Sequence, residues 1–360
     1  MASELFDIAV LQQSVAAAGH GWVVREAMFT DQQFEGRLGV LQQPSPTEVT
    51  ALAFSQTANE AIGPQLRQDL SHLIALNRID PSRWLRLTRW DWRDQGIIGD
   101  VRDQGQCGSC VSFAVTGLVA AMGSKEHGTA NLHLSEAELH FDSSHGANCG
   151  GWWPDQALQV VKDKGVVLDS CLDYPTAFDV PPQWDGNLWQ AHARDVGDRT
   201  YVNWMIGSYA AVTDHDGLPI VKTYLRTTGP LVACFDVYSD FNYYGGGGYK
   251  HTSGVYRGGH AVLVVGYDDN DSSWIVRNSW GTGFGGAPRA DGSGGGYFKI
   301  GYGECKFDTN PMYGATGTVP PPNQWFRQIL DHLKFTQLTN VGDPAQNQVV
   351  NLADKQLIQQ

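Results

Sequence analysis

Residues 103–110 read DQGQCGSC and run without a break into VSFAVTGLVAAM. A glycine-rich loop that opens directly onto twelve residues of mainly apolar character predicts a buried helix over 111–122 with a thiol at its mouth. The two sulfurs stand three residues apart, and four roles compete for them: metal clamp, redox couple, half of a structural disulfide, or nucleophile. A zinc clamp built from Cys107 and Cys110 wants a second close pair, and Cys149, Cys171, Cys234 and Cys305 offer no further C-x-x-C spacing. A thioredoxin-like couple follows the first strand of an α/β unit, whereas a long loop precedes this one. Cys110 as a nucleophile fits better, because unpaired N–H groups and the dipole at a helix N-terminus lower a thiol pKa.

Such a thiol needs a base. His260, in GGHAVLVVGYDD, stands at the start of a predicted strand behind two glycines, which suits an exposed, oriented imidazole. The other ten histidines read as ordinary surface or core residues. Asn278, in RNSWG, supplies an amide oxygen able to fix the ring tautomer, and Trp280 is placed to roof that amide from solvent.

Together DQGQCGSC, CGGWWP, GGHAVLVVGYD, NSWG and GGYFKI, in this order over residues 88–308, resemble the papain-like cysteine peptidases. The resemblance implies a two-lobed α+β fold, with a helical lobe, a β-barrel-like lobe and the active-site cleft between them. It implies Cys110 as nucleophile, His260 as general base and acid, and Asn278 as its orienter. Gln104 and the Cys110 N–H then form the oxyanion hole. Polypeptides are the substrates, and neither metal nor other cofactor is required. It further implies a disulfide between Cys107 and Cys149, while Cys171, Cys234 and Cys305 read as small buried hydrophobes. Gly151, Trp152, Trp153 and Pro154 fall on the substrate-binding strand and the wall of its main specificity pocket, with Gly259 and Trp280 on the histidine side.

Several positions depart from the family pattern. Val111 follows the nucleophile where an aromatic residue is usual. Trp152 takes the place of a second glycine, and its indole is expected to narrow the cleft or turn the strand. Gly259 precedes the histidine where a side chain is usual, which predicts a roomier pocket. Ser143 and Ser144 stand in the region of a second disulfide, and the loop GTGFGGAPRADGSGGGY is long.

The chain of 360 residues divides into an N-terminal helical segment, 1–87, a catalytic domain, 88–314, and an extension, 315–360. The first stands where the family keeps an inhibitory propeptide, without the usual propeptide helix pattern; the alternative is an accessory domain with no inhibitory role. An inhibitor would dock helices near 4–18 and 62–77 on the lobes and send a stretch near 78–90 through the cleft. Further helices are expected at 135–142, 154–163, 218–227 and 323–334, with strands after residue 229, and residues from Gly314 read as a linker. The net charge of −13 disfavours nucleic acid and anionic membranes as partners. No apolar stretch is long enough for a membrane-spanning helix. A monomer is expected. A disulfide favours an extracytoplasmic or lysosome-like compartment, whereas the N-terminus lacks signal-peptide character. The rival functions are a catalytically silent peptide binder on the same fold and a transamidase using the same thiol.

Overall fold

The computed structural model describes residues 6–41, 88–142, 145–174, 203–214 and 220–321. Two short helices, α1 (Ile8–Ala17) and α2 (Asp31–Glu35), lie in the N-terminal segment. The apolar run after the cysteine pair is α3 (Cys110–His127), which starts one residue before the run and ends five residues after it. It is buried on every side from Cys110 to Val119, as a helix apolar all round must be. Gly128 ends it in the left-handed conformation, and Lys125 and His127 complement the carbonyl end. Helix α4 (Glu136–Phe141) starts on Ser135, whose Oγ accepts from the Glu138 N–H at 3.0 Å. Pro154 opens α5 (Pro154–Asp163), and α6 spans Ile220–Thr227. The helices expected at 62–77 and 323–334 lie outside the described residues.

The strands are β1 (Arg89–Asp91), β2 (Met205–Val212), β3 (Leu231–Tyr238), β4 (Gly248–Tyr249), β5 (Tyr256–Asp268), β6 (Ser273–Arg277), β7 (Tyr297–Gly301) and β8 (Met312–Val319). They form one sheet in the order β2-β8-β3-β5-β6-β7-β4, with β1 pairing β5, so the fold is α+β. The stretch from Gly314 that reads as a linker is instead the body of β8, paired antiparallel with β2 from Val212↔Met312 to Met205↔Val319. Its small residues suit a strand laid close against α3 rather than a free connection.

Period-two alternation gives the central strands two faces. Val232 of β3 and Ala261, Leu263 and Val265 of β5 pack into the cluster around α3. Leu231, Ala233 and Phe235, with Val262 and Val264, point the other way into an aromatic cluster that includes Trp22, Tyr244, Tyr249 and Phe298. Trp22 belongs to the N-terminal segment, so that segment completes the core of the sheet lobe. The site lies where α3 meets β5.

Candidate active site

Cys110 occupies the first turn of α3 and is fully buried. Antiparallel pairing of β3 with β5 sets His260 opposite Phe235, and the N–H of the next residue, Ala261, donates to Cys110 Sγ at 3.4 Å. The thiol and the imidazole are therefore brought together from helix and strand. Asn278 follows β6, and its Oδ1 lies 2.8 Å from His260 Nε2. The same oxygen accepts from the Ser279 N–H at 2.9 Å. With the oxygen committed as acceptor, Nε2 carries the ring proton and Nδ1 the lone pair. Trp280 stacks on the imidazole with centroids 4.6 Å apart.

Gln104 is fixed from both ends. Its Oε1 accepts from Ser279 Oγ at 2.6 Å. Its Nε2 donates to the carbonyls of Cys107 and Arg37, each at 2.8 Å. Cys107 and Cys149 are joined in a disulfide, and the Gly108 N–H donates to the Cys149 carbonyl at 3.0 Å beside it. The loop before α3 and the strand at 151–152 are thus held as one frame. Cys171 is buried and Cys234 and Cys305 are half-buried thiols.

Across this frame runs the N-terminal segment at Arg37-Leu38-Gly39-Val40-Leu41. The N–H groups of Gly39 and Val40 approach the Gly259 carbonyl, each at 3.1 Å, and the Trp152 N–H donates to the Gly39 carbonyl at 2.8 Å. Val40 pairs parallel with Trp152 and antiparallel with Gly259. A Cβ at Gly39 would lie 1.9 Å from the Gly108 carbonyl oxygen, so only glycine fits. A Cβ at Gly151, where φ is +127°, would lie 2.4 Å from the Gly39 carbonyl. The stretch expected to cross the cleft, 78–90, lies mostly outside the described residues; its last two, Arg89 and Trp90, pair with β5 at Asp268 and Tyr267.

Trp152 departs from expectation. Its indole is fully buried, donates from Nε1 to Gln156 Oε1 at 3.1 Å, and lies parallel to the His145 ring. It fills the helical lobe instead of narrowing the cleft, because the room for it lies on the side away from Gly39. At Gly259 the missing side chain admits the N-terminal segment: a Cβ there would sit 2.9 Å from the Val40 Cβ. Trp153 and Pro154 cap and open α5. A cavity of about 720 Å³ lies on the opposite wall, bounded by Val40, Leu41, Cys234, Gly259, Asn310 and Tyr313 among others. Asn310, held by Nδ2 to the Cys234 carbonyl at 3.2 Å, and Ser279 carry no sequence signal beyond their place after or within quoted motifs.

Electrostatics in the covered site favour neutral groups. Burial pushes the Cys110 thiol up to about 11, against the pull of N–H groups from Ala261, Gly39, Val111 and Cys110 itself. Burial likewise pushes His260 down to about 4, opposed by the Asn278 hydrogen bond and reinforced by the positive charge of Arg37.

Known proteins resemble this chain in sequence and fold. The papain family cysteine protease profile matches residues 87–315. Cathepsin B-like cysteine proteinase 6 of Caenorhabditis elegans is 31% identical over 277 residues, 68% of this chain and 68% of that protein. A cathepsin L-like proteinase of Fasciola hepatica is 33% identical over 198 residues, 53% of this chain and 56% of that protein. In fold, the chain is similar to procathepsin B S9 from Trypanosoma congolense, with a TM-score of 0.62 at 22% identity over 86% of this chain and 98% of that one. With Cys110, His260 and Asn278 all inside a match that covers more than half of its length, the chain belongs to the papain family of cysteine proteases and is a peptide-bond hydrolase.

Proposed function

We propose that the protein is a cysteine endopeptidase held latent by its own residues 6–41, with Cys110, His260, Asn278 and Gln104 as its catalytic group. Once the cleft is open, the Cys110 thiol passes its proton to His260 Nδ1 and the sulfur attacks a substrate carbonyl carbon. The resulting oxyanion is held by Gln104 Nε2 and the Cys110 N–H. His260 returns the proton to the leaving amine, and water then cleaves the thioester. Asn278 keeps the ring tautomer that makes Nδ1 the acceptor, and Ser279 keeps the Gln104 amide turned with its NH₂ inward.

The observation that carries the latency is the Arg37 carbonyl on Gln104 Nε2 at 2.8 Å, the donor assigned to the oxyanion. Backbone pairing of Gly39 and Val40 to Trp152 and Gly259 on the two walls supports the same reading, since a substrate strand needs those groups. Val40 and Leu41 border the 720 Å³ cavity, which favours substrates presenting an apolar residue there.

The test is labelling with an epoxide or fluoromethylketone warhead before and after proteolytic removal of the N-terminal segment. Label that appears only after removal, and is lost in Cys110→Ala, is the expected result. Equal labelling of the full chain would overturn the latency, and no label in any form would overturn the catalytic assignment and leave a peptide-binding protein. A transamidase would instead give amide products when an amine is added.

A further inference from the structure

Ser109 breaks a local rule. It stands at the N-cap of α3, where a serine side chain ordinarily accepts from the free N–H groups of the helix, yet its Oγ makes no capping bond. That hydroxyl turns to Tyr174 instead, with Oγ and the phenol oxygen 2.8 Å apart. The Tyr174 hydroxyl in turn donates to the main-chain carbonyl of Gln104 at 2.9 Å. A carbonyl only accepts, so the phenol proton lies on this second bond and the Ser109 proton on the first. Burial pushes the phenol above its ordinary pKa, which keeps its proton in place.

The two ends of this relay carry the two donors assigned to the oxyanion. Gln104 supplies Nε2, and Ser109 immediately precedes Cys110, whose N–H is the second donor. Between them the Cys107 carbonyl accepts from Gln104 Nε2 at 2.8 Å and from the Ser109 N–H at 2.7 Å. One N–H of the Gln104 amide is thereby spent on the loop itself, and the other is aimed at the place taken by the Arg37 carbonyl. The phenol is held rigid from behind. Its ring meets Phe113 of α3 edge-on with centroids 4.7 Å apart and lies 5.7 Å from Phe141 of α4. Two residues earlier, the Leu172 carbonyl accepts from Ser135 Oγ at 2.6 Å, which ties the chain before Tyr174 to the start of α4.

We infer that Tyr174, acting through Ser109 and the main chain of Gln104, is a positioning residue of the oxyanion hole; this rests on the role given above to Gln104 Nε2 and the Cys110 N–H. Tyr174 touches no reacting atom. It fixes the spacing of the two donors by bracing the loop that carries both, as a rotamer locked by packing can do. Without its hydroxyl, Ser109 Oγ is left with the Cys107 carbonyl, 3.4 Å away, where it competes with Gln104 Nε2 for the same acceptor. The thiol is outside this relay, since Cys110 Sγ accepts from the Ala261 N–H of β5. Loss of the phenol oxygen therefore weakens the hole and leaves the reactivity of the sulfur as it was.

The test compares the parent with Tyr174→Phe, which removes only the oxygen, each made as the full chain and opened by the same limited proteolysis. A peptide aldehyde forms a hemithioacetal whose oxygen enters the hole. Its inhibition constant is expected to rise about tenfold and kcat to fall about tenfold with KM unchanged, a part of the 10²–10³-fold that loss of a whole oxyanion donor costs. A small disulfide reagent attacks at sulfur and forms no oxyanion. Its rate with Cys110, taken as the difference from Cys110→Ala, is expected to stay within about twofold, because that rate follows the thiolate. Ser109→Ala breaks the same relay from its other end and is expected to show the same split, with the double variant no worse than either single one. Unchanged kcat and aldehyde affinity in Tyr174→Phe would overturn the inference, and so would a disulfide rate that falls in step with kcat, which marks general loosening. Should Tyr174→Phe fail to fold, Ser109→Ala decides by the same two readings. A parent that cleaves no peptide and binds no aldehyde would sink the function proposed above, whereas an active parent matched by its variants sinks this inference alone.

Discussion

The N-terminal segment holds the molecule in two different ways along its length. From Phe6 to Phe34 it is an anchor made of side chains. Leu11 and Val15 of α1 are buried, Trp22 packs on Tyr244 and Tyr249, and Phe29 and Phe34 cap Trp280 edge-on. From Arg37 to Leu41 it is a strap made of backbone, in which carbonyls and N–H groups pair with Gln104, Trp152 and Gly259. The contrast teaches where each property comes from: buried aromatic area supplies most of the affinity, while the strap supplies the blockade. Two of the strap's residues add constraints of their own: Arg37 is buried in an ion pair with Asp103 at 2.6 Å, and Gly39 must be glycine to lie against the Gly108 backbone.

The sharpest way to break the anchor is Trp22→Ala. The indole is 1% exposed, and removing a buried Trp side chain costs about 3–5 kcal/mol. Since the ring belongs to the segment and its pocket to the sheet lobe, most of that loss falls on docking. Warhead labelling of the full chain at neutral pH is expected to rise by roughly two to three powers of ten. An unchanged rate would mean that the strap alone keeps the cleft closed.

Legibility in the sequence follows the same division. Cys110, His260 and Asn278 could be read because chemistry demands particular residue types in particular settings, a thiol at a helix mouth and an imidazole at a strand start. Helices α3 and α5 could be read from an apolar run and an N-terminal proline. The strap could not, because hydrogen bonds from main-chain groups leave no signature in side chains. Strand β8 was hidden by its glycines, alanine and threonines, which look like a linker until α3 is packed against them. Trp152 had a readable backbone role, but which side its indole takes depends on space that only the folded lobe defines.

Acidification loosens the strap from within. While covered, His260 is held down at about 4, below the ordinary value of about 6.5, so the covered form binds fewer protons than the open form between those pH values. The cover's advantage is complete above about pH 6.5 and is lost as pH falls toward 4. It amounts to about 3 kcal/mol, on the order of a hundredfold. The rate of segment opening, followed by warhead trapping corrected for the intrinsic pH dependence of the opened enzyme, is expected to rise across this window. A flat profile would mean that His260 is not what the strap keeps neutral.

Gly39→Ala attacks the strap where it lies closest to the loop before α3. The new Cβ would sit 1.9 Å from the Gly108 carbonyl oxygen and 2.5 Å from the Gly108 Cα, both of them backbone atoms of a loop stapled by the Cys107–Cys149 disulfide. Neither side yields easily, and forcing an extra carbon into such a contact costs about 1–3 kcal/mol. Labelling of the full chain is expected to increase between roughly fivefold and a hundredfold, with the anchor left docked and the fluorescence of Trp22 unchanged. A loss of the anchor in this variant would mean that strap and anchor fold as one unit and not as two.

The smallest effect belongs to the charged edge of the anchor. Arg257 of β5 reaches Glu35 at 2.7 Å and Asp31 at 3.8 Å, on acids that are 44% and 31% exposed in their side chains. Exposed ion pairs are worth about 0.2–1 kcal/mol and are screened by salt. Arg257→Ala is therefore expected to speed labelling only about two- to fivefold at low ionic strength, and the difference should vanish at high salt. The Trp22→Ala effect should survive the same salt, because apolar burial is not screened. If salt instead erased the larger effect as well, the segment would be docked by charge, and the aromatic cluster would only shape the surface that charge holds it against.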